Sequence, residues 1–241
     1  MIKKFSPGVW PTVMTVPAIL ILLSLSFWQL NRYFWKVDLL QNVADQMAQE
    51  AEAFPSGDID LDTWVYRRVA ITGEFDHSKE IHLFAHTVKG LKGFQIITPF
   101  TLVDSGDVIL VNRGWVPERL KDAEHRAEGN MTGEVTVSGV IRAPWTKSYD
   151  FLPGSNAETN VWLYGELDQM AKHLKLEVKP VFVELDDLEI PGGWPKGGQT
   201  RVTVPNNHVE YSLTWLGLAL AMAVIYGLYG MRRARKGDAR D

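Results

Sequence analysis

Cysteine is absent from the 241-residue sequence, which excludes disulfide bridges, thiolate metal sites and a cysteine nucleophile. The chain also lacks the Gly-x-Ser-x-Gly turn that presents the nucleophile of many hydrolases, and no serine, threonine or lysine stands in a supporting arrangement. The glycine-rich stretch 191–201 is no phosphate loop, because Gly198 and Gln199 occupy the places of Lys and Ser or Thr. The sequence therefore offers no set of acid, base and nucleophile for an enzyme.

Charge is missing from two long stretches near the ends of the chain. The first runs for 27 residues from Phe5 to Asn31, and the second for 21 residues from Tyr211 to Met231. A helix needs roughly 20 apolar residues to cross a bilayer. The first stretch is longer than the apolar core of a signal peptide, which has about 7–15 residues. We therefore predict uncleaved transmembrane helices at residues 9–31 and 208–231.

The charges that remain are distributed unevenly. Residues 32–210 carry 18 Lys/Arg against 27 Asp/Glu, whereas the two ends of the chain are basic. Because basic segments stay on the cytoplasmic side, we predict a bacterial inner-membrane protein with cytoplasmic termini, 1–8 and 232–241, and a periplasmic middle. Membrane lipid is an expected partner, and nucleic acid is not, since the middle of the chain is acidic.

Hydrophobic periodicity divides this middle into a helix and a β-rich domain. Apolar residues at three- and four-residue intervals predict that the first helix continues through 32–54. The period then changes to two, which predicts a series of short strands between Val65 and Leu185, with a helix at Leu167 to Leu174. Short strands joined by tight turns favour an antiparallel, barrel-like sheet. The expected fold is an α+β membrane protein in which two antiparallel transmembrane helices enclose a domain at 55–207 with one or two helices of its own.

Two histidines in a predicted strand are candidate metal ligands. His82 and His86 face the same way, but four residues of strand separate them by about 13 Å, which is too far for one metal ion. We expect both to be surface histidines.

A third histidine lies at the start of the second predicted span. Helical spacing places it on one face with aromatic and apolar side chains, namely His208, Tyr211, Ser212, Trp215, Leu218 and Met222. Because the spans are antiparallel, Trp28 and Gln29 of the first span should lie at the same depth.

Two interpretations of this face are open from the residues alone. In the first, His208 caps the helix or lies among the lipid headgroups, and Trp28, Tyr211 and Trp215 are interface anchors. In the second, the face is a haem site. His208 would be the axial ligand of the iron, aromatic rings would cover the macrocycle, and Arg32 or Lys36 would pair with the propionates.

Several motifs in the chain resemble those of the surfeit locus protein 1 family, and the resemblance runs nearly end to end. They are Trp28-Gln29 with Arg32 and Lys36; Tyr66-Arg67 with Val69, Gly73 and Phe75; Asp76 to Glu80; Thr98-Pro99-Phe100; Ile109 to Pro117, which includes Asn112-Arg113-Gly114-Trp115; Gly133-Glu134-Val135; Pro191-Gly192-Gly193; Gly197 to Thr200; and Asn207-His208-x-x-Tyr211-x-x-Thr214-Trp215. Ser26 departs from this pattern, because the family usually has glycine there, and the departure bears on how closely the two spans pack.

The resemblance implies a non-enzymatic assembly factor for cytochrome c oxidase, a haem-copper oxidase. Members have two transmembrane helices around an outer domain, and some bacterial members bind haem a through a histidine of the second span. When these roles are carried over to this sequence, the resemblance implies that His208 is the iron ligand, with Tyr211 and Trp215 on the same face of the helix. Trp28, Gln29 and Arg32 match motif positions of the family.

The expected partners are the catalytic subunit of the oxidase, which would receive haem a, and haem a synthase. The alternative is a scaffold without cofactor, which stabilises an assembly intermediate through its periplasmic domain, with edge strands and an exposed turn at Asn112-Arg113-Gly114-Trp115 as the contact surface.

Overall fold

The computed structural model describes residues 5–86, 90–149, 151–200 and 206–238, and the chain divides into two compact units. A helical unit comprises Met1–Asn42 and Thr203–Asp241, and a β-domain comprises Val43–Val202. The basic residues Lys3, Lys4, Arg201 and Arg240, with Pro205, lie outside the described residues.

Within the described residues the elements follow in the order α1 (Val9–Ala48), β1 (Glu52–Ala53), α2 (Leu61–Trp64), β2 (Arg68–Phe75), β3 (Ile81–His86), β4 (Lys92–Leu102), β5 (Val108–Pro117), β6 (Val135–Arg142), β7 (Val161–Trp162), α3 (Leu167–Leu174), β8 (Phe182–Leu185) and α4 (His208–Asp238). Short 3-10 turns lie at His77–Lys79, Glu118–Leu120, Ala123–Gly129 and Pro191–Gly193.

Helices α1 and α4 are long and apolar enough to cross a membrane, as the uncharged stretches predict. Helix α1 continues past residue 31 and ends at Ala48 rather than at residue 54. Glu52 and Ala53 instead form β1 and pair in parallel with Val69 and Ala70 of β2. Pairing with the sheet thus replaces the last helical turn that the periodicity predicts.

The helical unit is an antiparallel pair held along a regular seam. Every third or fourth side chain is partly or fully buried, and these residues are Thr12, Thr15, Ile19, Leu22, Ser26, Gln29 and Tyr33 in α1, and His208, Ser212, Trp215, Ala219, Met222 and Tyr226 in α4. Such alternating spacing is typical of two helices that pack at a small crossing angle. The hydrogen bond between the hydroxyls of Thr12 and Tyr226, at 2.6 Å, fixes the antiparallel direction.

The β-domain is built on a closed five-stranded barrel. Its strands pair in the order β2, β6, β8, β5, β4, and β4 returns to β2; β3 and β7 extend the sheet from β4, and β1 from β2. The barrel-like closure is confirmed, and most pairs are antiparallel as predicted. Strands β5 and β8 are parallel, because the long connection between them, which includes β6, β7 and α3, returns the chain in the same direction.

Closure depends on a close approach between β2 and β4. Gly73 pairs with Leu102, and a Cβ at Gly73 would lie 2.0 Å from the carbonyl oxygen of Thr101. Only glycine fits this junction. Inside the barrel lies a core of apolar side chains that includes Ile71, Phe100, Ile109, Val111, Ile141 and Val183. A second core, which includes Ile81, Leu83, Trp162, Met170 and Phe182, packs α3 on the sheet.

Candidate functional site

The first residue of α4 contacts α1 directly. His208 lies 2.7 Å from Gln29, measured from Nδ1 of the ring to the side-chain oxygen of the amide. Both residues are partly buried on the seam, so water is partly excluded from the contact. The predicted equal depth of His208 and Gln29 is therefore found in the structure. Among the described residues, the imidazole forms no other hydrogen bond, and none of them pairs with Nε2.

One turn further along the seam, two serines exchange hydrogen bonds. The hydroxyl of Ser26 lies 3.0 Å from that of Ser212 and also contacts the carbonyl oxygen of Ser212, while the hydroxyl of Ser212 donates to the carbonyl of Ser26 at 2.9 Å. Both side chains are buried. The helices therefore approach closely at Ser26, and small polar residues are suited to such contacts.

The other predicted site residues lie within about two helical turns of Gln29 or His208 along α1 and α4, without contacting the imidazole. Trp215 is partly buried on the seam, whereas Trp28 is 57% exposed and Tyr211 is 55% exposed. The guanidinium of Arg32 lies over the ring of Trp35, 4.0 Å from its centroid. Within the described residues, none of these side chains forms a hydrogen bond or ring contact with His208. The structure thus joins His208 to Gln29 and leaves aromatic and cationic side chains exposed beside them.

Paired cysteines can test this register, because the natural chain has no cysteine. Replacing both Ser26 and Ser212 with cysteine should give a disulfide in nearly all molecules on mild oxidation, since the two hydroxyl oxygens already lie 3.0 Å apart. The bond can be detected by intact mass before and after reduction. The matched control is Ser24→Cys with Ser212→Cys, because Ser24 is exposed, off the seam. Equal cross-linking of the two pairs would contradict the register.

A second polar cluster, which the sequence did not predict, is buried in the β-domain. Glu80 accepts hydrogen bonds from Arg113 at 3.0 Å and from Arg126, and Arg113 also donates to the carbonyl of Gly129. The side chain of Arg113 is 0% exposed. His77 and Asn130 complete the cluster through contacts to Arg113.

Electrostatics hold this cluster in its charged form. Burial alone would raise the pKa of Glu80, but hydrogen bonds from His77 and Arg126 and the charges of Arg126 and Arg113 lower the pKa to about 2. Burial lowers the pKa of Arg113 to about 10, which leaves it charged at neutral pH. Two guanidinium groups thus share one carboxylate, which joins β5 to the segment 118–130. Sequence reasoning missed Arg126 because it belongs to no recognised motif.

The structure corrects two sequence-based expectations in this domain. Asn112, Arg113 and Trp115 are buried within β5, between β4 and β8, so the expected exposed turn at 112–115 is wrong. His82 is buried on β3, which β4 and β7 flank, so its expected surface position is wrong as well. Burial lowers the pKa of His82 and favours the neutral ring.

A cage of protein ligands for a metal ion is not found in the described parts of the chain. No group of three or more His, Asp or Glu side chains converges there. A metal centre at His208 would therefore need a complex that brings most of its own ligands.

Comparisons with known proteins agree on one family. A model described as the SURF1 family matches residues 16–220. Surfeit locus protein 1 of Takifugu rubripes is 36% identical over 218 residues, which cover 84% of this chain and 89% of that protein. The proteins of that name from Homo sapiens and Rattus norvegicus are 36% and 34% identical, over 84% and 87% of this chain and 71% and 72% of their own lengths. The chain therefore belongs to the SURF1 family.

Proposed function

We propose that this protein holds haem a at His208 and supports its insertion into the catalytic subunit of cytochrome c oxidase. Membership of the SURF1 family supports the broader role, which is that of an assembly factor for this oxidase rather than an enzyme. The observation that carries the finer proposal is an imidazole on the seam between two membrane-length helices, whose Nε2 has no hydrogen-bond partner among the described residues.

The donor set at this position fits haem and does not fit a bare metal ion. A single imidazole is a weak site for a free ion, and within the described residues His208 belongs to no group of three or more His, Asp or Glu side chains that could hold one. The porphyrin would supply nitrogen ligands of its own, so a single histidine would be sufficient to hold the iron. When bound, haem a would supply a redox-active iron, which His208 would hold through one imidazole nitrogen.

The surroundings of His208 also fit a large flat ligand with an apolar body and acidic groups. Trp28 and Tyr211 expose more than half of their surfaces beside the seam and offer rings on which a macrocycle can stack. Arg32 is exposed and already oriented by the ring of Trp35, so its guanidinium can pair with a propionate. Trp215 is half-buried on the seam, and we assign it to the side of the proposed haem site that is formed by the helix pair.

The ligand set also suits transfer rather than storage. One protein ligand would hold haem against loss to the bilayer and would still allow an acceptor to remove it. The charge asymmetry of the chain supports a location in the bacterial inner membrane, with both termini cytoplasmic and the β-domain periplasmic. Haem a synthase is then the proposed donor and the catalytic subunit the proposed acceptor.

A spectroscopic titration tests this proposal. Purified protein in detergent should give a saturable Soret shift on addition of haem a, whereas His208→Ala should lose at least about tenfold in affinity, because axial ligation is removed. The matched control is His125→Ala, since His125 is exposed in the β-domain. Equal titrations of the two variants would contradict the role of His208. Absence of binding in every form, including the unmodified protein, would favour the scaffold without cofactor.

A further inference from the structure

We infer that Gln29 is a positioning residue that holds His208 in the tautomer with its proton on Nδ1, so that Nε2 is the only atom able to ligate a metal. The inference deepens the proposed function by naming the ligating atom. Its first part, the tautomer, concerns the protein alone and does not depend on haem.

The contact itself determines which nitrogen carries the proton. The side-chain oxygen of Gln29 can only accept a hydrogen bond, and it lies 2.7 Å from Nδ1 of His208. A neutral imidazole has one N–H group, so donation from Nδ1 leaves the lone pair on Nε2. The opposite arrangement, in which the amide NH₂ of Gln29 donates to Nδ1, would put the proton on Nε2 and block it as a ligand.

The helix pair holds Gln29 in place for this contact. Gln29 lies one turn from Ser26, whose reciprocal hydrogen bonds with Ser212 fix the two helices against each other. Gln29 and His208 are both partly buried on the seam, where an unpaired donor is costly. The amide is therefore preorganised to accept from Nδ1 before any ligand arrives.

This hydrogen bond also has a chemical consequence at the far side of the ring. Donation from one imidazole nitrogen raises the basicity of the other and fixes the orientation of the ring, and loss of such a partner typically lowers metal affinity by about 10–100-fold. Gln29 would thus act on a bound iron through His208, without contacting it. This differs from a direct role of Gln29 in binding the cofactor.

Nitrogen NMR of the protein without haem tests the tautomer directly. In protein labelled with ¹⁵N-histidine, the ring signals of His208, assigned by their absence in His208→Ala, should show protonated Nδ1 and unprotonated Nε2. Gln29→Leu removes the acceptor and should shift the signals towards a mixture of tautomers. Gln29→Glu keeps an acceptor and should restore the Nδ1–H form. A protonated Nε2 in the unmodified protein, or signals unchanged by Gln29→Leu, would overturn the inference.

The affinity for haem a then separates this inference from the proposed function. We expect Gln29→Leu to weaken binding about 10–100-fold and Gln29→Glu to recover it. Equal binding by unmodified protein and Gln29→Leu would refute the positioning role and leave haem binding intact. If no form binds haem a while the NMR signals behave as expected, the proposed function fails and the control of the tautomer stands.

Discussion

Replacement of Glu80 by glutamine is expected to destabilise the β-domain by about 3–5 kcal/mol, because it leaves two buried guanidinium groups without their shared carboxylate. Arg113 and Arg126 both donate to Glu80, and the side chains of all three residues are almost completely buried. Water cannot replace the lost charge there, so the penalty is that of uncompensated buried cations. The measurement is denaturant unfolding of the full chain in detergent, followed by tryptophan fluorescence.

The control for Glu80→Gln is an ion pair of similar length on the surface. Asp107 and Lys179 lie 3.0 Å apart, but water screens their charges. We expect Asp107→Asn to leave the unfolding midpoint nearly unchanged. If Glu80→Gln shifted the midpoint no more than Asp107→Asn, the cluster would have no structural importance.

The pKa of Glu80 also predicts how the stability of the β-domain changes at acidic pH. The pKa of Glu80 falls from an ordinary 4.5 to about 2 on folding, so its contribution is complete above the unfolded value and is lost as pH falls towards 2. That contribution is about 3 kcal/mol. Between pH 5 and pH 2 the unmodified protein should therefore lose this amount of stability, and Glu80→Gln should lack this part of the pH dependence.

Local patterns in the sequence predicted those parts of the fold that depend on neighbouring residues. The absence of charge located both apolar helices, and a helical period predicted α3 at Leu167–Leu174, where it is found. Closure of the barrel was predicted only in outline. The pairing of β2 with β4 through Gly73 joins distant segments and leaves no periodic pattern in the sequence.

The candidate site was also predictable only in part, because contacts between distant segments leave no periodic pattern in the sequence. Because the two predicted spans are antiparallel, the sequence predicted that Gln29 lies level with His208. It did not predict that the two side chains are hydrogen-bonded. The cluster of Glu80, Arg113 and Arg126 was missed because a buried carboxylate and its partners have no fixed spacing in sequence. Exposure at 112–115 was predicted wrongly because polar Asn112 and Arg113 suggest a turn, whereas partners from other segments satisfy them inside the domain.

The second large effect that we expect is the loss of bound haem a, the pigment, from His208→Ala produced in cells that make haem a. A cell that makes haem a would supply the ligand through the membrane, so the proposed binding would compete with the bilayer and would depend on the bond to His208. Without the imidazole, the proposed stacking and ionic contacts of Trp28, Tyr211 and Arg32 would resemble those that lipid and water also offer. The variant should therefore fold and be purified in normal yield but without pigment.

The most direct test of the central claim is to produce the protein together with a haem a synthase and to quantify the haem a that remains after purification. We predict that the unmodified protein and His125→Ala retain haem a in similar amounts, and that His208→Ala retains less than about one tenth of that amount. Retention of equal haem a by His208→Ala would contradict the assignment of the imidazole as the ligand.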